Sequence, residues 1–179
     1  MTEHIKVPLE RIAVLVGPKG SIREQIEEKS SAMLNIDSDS GDVELQDPKD
    51  AVKGMRAREV VHAIAMGFSP EKALKLFDNE SLMFETIDLS NIARTEKDLE
   101  RIRGRIIGSG GKTREFFENL TNTNISVYGK TVSLIGYPEQ TEVVRKGIEM
   151  LLEGAAHGPV YKFLEKKGRE LSEKERMLG

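Results

Sequence analysis

The sequence predicts an α+β protein built from two similar small domains, and two observations carry that prediction. First, segments 14–27 and 105–118 match at a constant spacing of 91 residues. Second, around each segment, runs that alternate polar and apolar residues, typical of strands, precede and follow runs with helical spacing. A chain of 179 residues therefore divides into two units of roughly 80 to 90 residues each. The identical pairs are Gly17/Gly108, Gly20/Gly111, Arg23/Arg114, Glu24/Glu115 and Glu27/Glu118.

The first copy predicts the order strand, helix, loop, helix, strand, strand, helix. Alternation predicts a strand at 3–7, and Pro8 suits the first turn of the helix that follows. A turn-rich stretch separates the two later strands, and Pro48 starts a third helix that reaches Met66. A Ser-Pro-Glu start then predicts a short linker helix. The predicted ranges are 3–7, 8–16, 21–30, 33–36, 43–45, 48–66 and 70–77.

The second copy repeats this order. Alternation predicts its first strand at 82–89, and Thr95 caps the next helix, which leads to Ile107. After the glycine loop a second helix and a hairpin follow, and Pro138 starts the last helix as Pro48 does in the first copy. The predicted ranges are 82–89, 96–107, 112–122, 125–127, 132–135 and 138–152.

The predicted domain boundaries follow from this repeat: residues 1–78 form the first domain with its linker helix, residues 79–158 the second, and residues 159–179 a helical tail. Two interpretations of the tail stay open. Its charged sequence and thin apolar stripe fit a partly solvated terminal helix, or a docking element for the other domain or for a partner. Because each copy already has three helices and three strands, we expect the tail to be dispensable for folding.

The glycine loop of the second copy predicts an anion-binding site. Gly108, Gly110 and Gly111 leave almost no side chains in the loop, so a phosphate could approach the backbone at the start of a new helix. Arg105, Lys112 and Arg114 surround it with positive charge. A single Gly-x-x-Gly motif is more often a tight helix corner; its duplication favours the functional interpretation.

Composition sets further limits. The chain has no cysteine, which excludes disulfides, thiol catalysis and cysteine-ligated metals, and it favours a reducing cytoplasmic location. No apolar run approaches the roughly 20 residues of a membrane span, and the polar N-terminus is not a signal peptide.

Residues 1–90 carry 11 Lys and Arg against 17 Asp and Glu, a balance of −6, whereas residues 91–179 carry 16 against 13, a balance of +3. An anionic partner is therefore expected at the second half.

The predicted order of elements around each Gly-x-x-Gly loop resembles a type I KH domain, whose loop clamps the backbone of about four single-stranded nucleotides. The usual aliphatic residue three positions after the second glycine is Arg23 in one copy and Arg114 in the other. The resemblance implies single-stranded RNA binding without enzymatic activity, cofactor or metal. The implied RNA-binding residues are Arg105, Ile106, Ile107, Gly108, Ser109, Gly110, Gly111, Lys112, Arg114, Ile125 and Val127 in the second copy, and Gly17, Pro18, Lys19, Gly20 and Arg23 in the first.

The second copy is similar in detail to the ribosome-assembly KH proteins called Dim-two or Partner of Nob One. Ser109 inside the second loop and the intact glycines Gly17 and Gly20 of the first loop resemble the archaeal members. This family resemblance implies binding near the 3′ end of small-subunit rRNA, with the Nob-One maturation endonuclease, or other ribosome-assembly or translation factors, as protein partners.

Other functions remain as alternatives. A nucleotide-binding P-loop would need a glycine where Ile106 stands and a strand leading into the loop. The acidic run that begins at Asp37 and includes Asp47 does not follow the spacing of a calcium loop. A KH-shaped protein–protein scaffold, which the 5% aromatic content favours, and a general mRNA- or exosome-type RNA-binding factor stay open.

Overall fold

The structure is a computed structural model that describes residues 2–46 and 50–178. The chain divides into two compact units, Met1–Glu80 and Ser81–Gly179. Each unit contains one three-stranded antiparallel sheet with helices packed on it. The α+β class and the two-copy organisation predicted from the sequence are therefore confirmed.

The first unit has the predicted order of elements, with boundaries close to the expected ones. Its central strand is the third along the chain, because the sheet order is β1-β3-β2 and both pairings are antiparallel. The helix start expected at Pro48 lies outside the described residues. The elements are β1 (Thr2–Lys6), α1 (Leu9–Val16), α2 (Ser21–Ser30), β2 (Met33–Ile36), β3 (Asp42–Gln46), α3 (Ala51–Ala65) and α4 (Pro70–Leu74).

Helix α3 forms the centre of the first unit's helical layer. Its N-cap is Asp50, whose Oδ1 accepts hydrogen bonds from the Val52 and Lys53 N–H groups at 3.0 and 3.4 Å. The helix packs against both α1 and α2. Its small residues let these helices approach closely, so the core is assembled around a helix with Ala57, Ala63 and Ala65 buried.

The second unit repeats the arrangement with the sheet order β4-β6-β5, again antiparallel throughout. Thr95 caps α5 as expected, its hydroxyl accepting from the Asp98 N–H at 3.1 Å. The elements are β4 (Met83–Asp88), α5 (Glu96–Ile107), α6 (Lys112–Thr121), β5 (Asn124–Tyr128), β6 (Thr131–Gly136), α7 (Pro138–Leu152) and α8 (His157–Leu178).

Helix α8 is the segment that the sequence analysis treated as a tail, and it packs on α6 and α7 of the second unit. Val160 and Leu164 are fully buried, and Gly168 continues this stripe one turn later. A Cβ on Gly168 would lie 2.8 Å from the Leu120 carbonyl oxygen, so glycine allows α8 to lie directly against α6. This burial argues against the expectation that the tail is dispensable for folding.

Within the described residues, no helix combines the length and the apolar character that crossing a membrane requires.

Candidate nucleic-acid interface

The two Gly-x-x-Gly loops have nearly the same backbone conformation. Gly17 has φ 73° and ψ 173°, and Gly108 has φ 75° and ψ 172°. Two residues later, Lys19 lies at φ 55° and ψ 28°, and Gly110 at φ 61° and ψ 21°. The repeat detected in the sequence is therefore a repeat of local geometry, in which each loop is a short 3-10 turn between two helices.

The first glycine of each loop is required by close packing. A Cβ on Gly108 would lie 2.2 Å from the Thr113 Oγ1, and a Cβ on Gly17 would lie 2.3 Å from the Ile22 Cγ1. Gly110, in contrast, has no heavy atom within 4 Å of the position that its Cβ would occupy. One side of the second loop is thus sealed against its own helix, and the other side is open to a ligand.

Helices α2 and α6 begin directly at these loops. Gly20 and Gly111 are their left-handed N-cap residues, and no side chain of the described residues caps either start. The first-turn N–H groups of a helix carry partial positive charge and favour an anion. Both loops consequently have the backbone geometry of a phosphate site.

The arginine that replaces the usual aliphatic residue follows each loop by three residues, and in the second copy its guanidinium lies beside the loop. Nη2 of Arg114 is 3.7 Å from the position that a Cβ on Gly111 would occupy. Its Nε lies 3.9 Å from Glu118 Oε1, whereas Arg23 Nε lies 3.4 Å from Glu27 Oε1. The distance at Arg114 is too long for a hydrogen bond, and its Nε is buried without a hydrogen-bond partner. The second-loop arginine is therefore the less firmly paired of the two.

The glutamate behind each arginine connects helix to sheet. Oε2 of Glu118 accepts a hydrogen bond from the Ile125 N–H at 3.0 Å, and Oε2 of Glu27 accepts one from the Leu34 N–H at 3.0 Å. Strands β2 and β5 are the edge strands of their sheets. Each glutamate therefore satisfies an edge-strand donor while it lies next to the arginine.

The Arg105 guanidinium, expected to supply charge at the loop, is engaged elsewhere. Its Nη1 donates to the Leu151 carbonyl at 2.8 Å, and its Nη2 donates to the Ala155 carbonyl. Arg11 makes the equivalent bonds in the first unit, to the Ile64 and Phe68 carbonyls at 2.9 and 2.8 Å. These arginines stabilise the C-terminal end of the third helix, where cations and hydrogen-bond donors are favourable.

The expected apolar groove residues separate into two groups. Ile106 and Ile125 are buried in the core of the second unit, whereas Ile107 and Val127 are half-buried. Only the half-buried pair retains surface for a base. Among the remaining expected residues, Pro18, Lys19, Ser109, Gly110 and Lys112 are exposed, and so is Arg23.

Two residues that the sequence analysis did not select approach the second loop from α8. The Tyr161 hydroxyl lies 2.9 Å from the Thr113 Oγ1, and its ring centroid lies 4.2 Å from that of Phe116. The His157 Nε2 lies 2.9 Å from the Arg105 carbonyl oxygen. The Tyr161–Thr113 hydrogen bond spans 48 residues. No local pattern in the sequence predicts it.

The alternative sites receive no support from the described residues. Helix α5, not a strand, leads into the second loop, which a P-loop does not allow. Oδ1 of Asp37 accepts from the Asp39 and Ser40 N–H groups at 2.9 and 3.3 Å, and these bonds lower the pKa of Asp37. The acidic turn thus uses its first carboxylate for its own backbone. Within residues 2–46 and 50–178, no cluster of three acidic or histidine side chains could hold a metal.

Comparisons with known proteins identify both units as KH domains. Residues 83–169 match a family described as eukaryotic type KH-domain (KH-domain type I), and residues 2–66 match the KH domain family. The first of these matches includes more than half of α8.

Three relatives illustrate the similarity. A KH domain-containing protein of Methanocaldococcus jannaschii is 40% identical over 172 residues, covering 94% of this chain and 75% of that protein. The pre-rRNA-processing protein PNO1 of Chaetomium thermophilum is 36% identical over 108 residues, covering 59% of this chain and 42% of that protein. The aDim2p chain in a Pyrococcus horikoshii complex with a/eIF2alpha and rRNA is 41% identical, with a TM-score of 0.87 and 95% of each chain covered.

Proposed function

This chain belongs to the PNO1/Dim2 family of RNA-binding, non-enzymatic tandem KH proteins. On that premise we propose that the protein binds single-stranded RNA in the 3′-end region of small-subunit rRNA. We propose the cytoplasm as the place where it acts. Two relatives support this choice of ligand. The Pyrococcus horikoshii relative is described in complex with rRNA, and the Chaetomium thermophilum relative is named for pre-rRNA processing.

The observation that carries the proposal is the open side of the second loop. Gly110 has empty space where its side chain would be, α6 begins immediately after Gly111, and the Arg114 guanidinium lies beside that glycine. A phosphodiester needs close access to backbone N–H groups and a nearby cation. The second loop therefore provides both the accessible backbone N–H groups and the nearby cation.

We assign the main RNA contact to the second loop rather than to the first. Divided at the structural boundary, residues 1–80 carry 11 basic and 15 acidic residues, a balance of −4, and residues 81–179 carry 16 and 15, a balance of +1. A polyanion therefore meets less repulsion at the second unit. In addition, Ser109 has a backbone N–H where Pro18 of the first loop has none.

The roles within the second copy follow from burial and pairing. The backbone of Ser109, Gly110 and Gly111 would bind phosphates, with Lys112 and Arg114 supplying charge. Half-buried Ile107 and Val127 would contact bases, whereas buried Ile106 and Ile125 hold those residues in place from the core. Arg105 acts indirectly, by fixing the end of α7. In the first copy, Gly17, Pro18, Lys19, Gly20 and Arg23 would make weaker contacts of the same kind.

A protein partner is a second part of the proposal. The Pyrococcus horikoshii relative is described together with a/eIF2alpha. The acidic balance of the first unit favours a protein surface over RNA as its ligand. We therefore propose an initiation-factor-2-alpha subunit as a protein partner, and the Nob-One endonuclease as another, with the first unit as the contact.

The test is a titration of the full chain against a fluorescent single-stranded fragment from the 3′ end of small-subunit rRNA. With about three to five phosphates held, the slope of log affinity against log salt should be about −2 to −4, since each contact on a single strand contributes ~0.7. The same fragment annealed to its complement should bind more weakly, because a KH groove needs unpaired bases. A scrambled fragment of equal composition is the control.

Two results would contradict the proposal. Affinity that does not change with salt would exclude the phosphate contacts. Equal affinity for the duplex would exclude recognition of a single strand. Crosslinking in cell lysate then identifies which RNA is attached and at which loop; attachment only to messenger RNA would favour a general RNA-binding factor.

A further inference from the structure

Helix α8 contacts the start of α6, directly after the second loop, through an aromatic residue. The ring of Tyr161 stacks at a tilt of 33° on Phe116, with the centroids 4.2 Å apart, and its hydroxyl lies 2.9 Å from the Thr113 Oγ1. Thr113 is the second residue of α6 and is almost completely buried. A buried threonine hydroxyl needs a hydrogen-bond partner, and Tyr161 provides it.

Thr113 in turn forms the wall behind Gly108. A Cβ on Gly108 would lie 2.2 Å from the Thr113 Oγ1 and 2.7 Å from its Cβ, so the position of this side chain determines the space available to the loop. A threonine has restricted χ1 rotamers, and a hydrogen bond from outside selects among them. Tyr161 is thus connected to the first glycine of the loop through one side chain.

A second contact from α8 fixes the helix before the loop. The His157 Nε2 bonds the Arg105 carbonyl oxygen at 2.9 Å, in the last turn of α5. The Arg105 side chain bonds the Leu151 and Ala155 carbonyls on the chain segment that leads to α8. Both helices that border the loop are therefore attached to α8 or to its immediate N-terminal connection.

The first copy has a different support at the same place. Its residue equivalent to Thr113 is Ile22, whose Cγ1 lies 2.3 Å from the position of a Cβ on Gly17. An isoleucine side chain has no hydrogen-bonding group, so Ile22 supports that loop by packing only. The loops share a backbone conformation, but within the described residues the side-chain hydrogen bond from Thr113 to Tyr161 has no counterpart at Ile22.

We propose that Tyr161 is a positioning residue for RNA binding: its hydroxyl holds Thr113, and through it the second Gly-x-x-Gly loop, in the phosphate-binding conformation before RNA arrives. The proposal rests on the proposed function of that loop. A loop that is already ordered loses less conformational entropy on binding, which raises affinity without a new contact to the ligand.

The test uses substitutions that remove one hydroxyl. Tyr161→Phe keeps the stacking on Phe116, and Thr113→Val removes the partner at nearly constant volume. Each should weaken binding of the single-stranded rRNA fragment about three- to tenfold. The double variant should have the same affinity as the single variant that binds RNA more weakly, because each substitution breaks the same Tyr161–Thr113 hydrogen bond. Thr113→Ser keeps the hydroxyl and should retain most of the affinity, and Ser172→Ala, on an exposed position of α8, is the matched control.

Two further measurements separate positioning from general stability. In a background with Ser109→Asp and Gly110→Asp, which inactivates the loop, adding Tyr161→Phe should cause no further loss of affinity. In the free protein, NMR amide signals of Gly108, Gly110 and Gly111 should shift or broaden in Tyr161→Phe and stay in place in Ser172→Ala.

The outcomes are distinguishable. Unchanged affinity and unchanged loop signals in Tyr161→Phe overturn the positioning role, and so does a loss that persists in the inactivated background. If the wild-type protein binds no RNA, the proposed function fails, and the NMR comparison still decides whether Tyr161 fixes the loop.

Discussion

The two Gly-x-x-Gly loops of this protein have the same backbone but different surroundings. Their corresponding φ and ψ angles differ by only a few degrees at the first glycine and at the third loop position. Behind the first loop lies Ile22; behind the second lies Thr113, bonded to Tyr161 of α8. The comparison shows that the same loop conformation forms in front of two different side chains, one apolar and one hydrogen-bonded to a distant helix.

The loops also differ in what they offer an anion. Lys19 and Gly110 occupy equivalent positions in the two loops, both in the left-handed region, at φ 55° and 61°. The first loop therefore has a charged side chain at the position where the second loop has exposed backbone. Pro18 lacks the N–H that Ser109 has. Each loop has a nearby arginine, but Arg23 is closer to its glutamate than Arg114 is. The comparison of the two units and their loops gives four predictions, ordered from the largest expected effect to the smallest.

The largest effect should come from α8 of the second unit. Leu164→Ala removes a fully buried side chain of α8 and should lower the free energy of unfolding of the second unit by about 2 to 5 kcal/mol. Urea denaturation followed by circular dichroism measures this change. The control, Leu178→Ala, removes a side chain that is 84% exposed and should have almost no effect. Equal stability of the two variants would mean that α8 does not contribute to the core.

The next effect concerns the loops themselves. Ser109→Asp with Gly110→Asp places two carboxylates where phosphate oxygens should bind. Repulsion and the lost close approach should each cost on the order of 1 kcal/mol or more, so RNA binding should weaken at least tenfold. The fold should survive, because aspartate tolerates the left-handed conformation and acidic residues are favourable at a helix start. Fluorescence anisotropy measures affinity, and circular dichroism verifies folding.

The matched pair in the first loop is Pro18→Asp with Lys19→Asp, which should weaken binding less because the first unit is already acidic. Equal losses would indicate that both loops contribute equally to RNA binding. A larger loss at the first loop would reverse our assignment of the main site, and no loss at either would leave a KH-shaped scaffold.

A smaller effect should come from removing a single backbone hydrogen-bond donor, the Ser109 N–H. Ser109→Pro removes the N–H that the first loop lacks and should weaken RNA binding about fivefold, or about 1 kcal/mol, while preserving the overall charge. The reciprocal Pro18→Ser should leave binding unchanged or strengthen it slightly. Anisotropy on the same RNA fragment compares the two variants. If Ser109→Pro binds as the wild-type protein does, the Ser109 N–H does not contact phosphate.

The smallest effect is a change in salt dependence. Arg114→Gln should make the log–log salt slope shallower by about 0.7, because one phosphate contact is lost. Arg23→Gln should change the slope less, since that arginine lies closer to its glutamate, with Nε and Oε1 3.4 Å apart. Affinity measured at a series of salt concentrations gives both slopes. A larger change for Arg23→Gln would contradict the assignment of the second loop as the main phosphate site.

Much of the fold could be predicted from local patterns. Alternation, proline starts and capping residues placed the strands and helices within a few residues, as at Thr95 and α5. The roles of single side chains were less predictable. Arg105 has the charge and position of a phosphate contact, yet its guanidinium bonds the Leu151 and Ala155 carbonyls, 46 and 50 residues away along the chain. Sequence proximity to a loop does not determine where a long side chain points.

The sequence by itself determined the two-copy organisation, the class of fold, and the position of both loops, because these depend on local periodicity and on the spacing of the glycines. The tertiary structure alone decided that α8 belongs to the core of the second unit and that Tyr161 reaches Thr113. Those contacts join residues far apart in the chain, and only the packing of α8 against α6 brings them together. A thin apolar stripe predicts that a helix buries one face, but not which surface it covers.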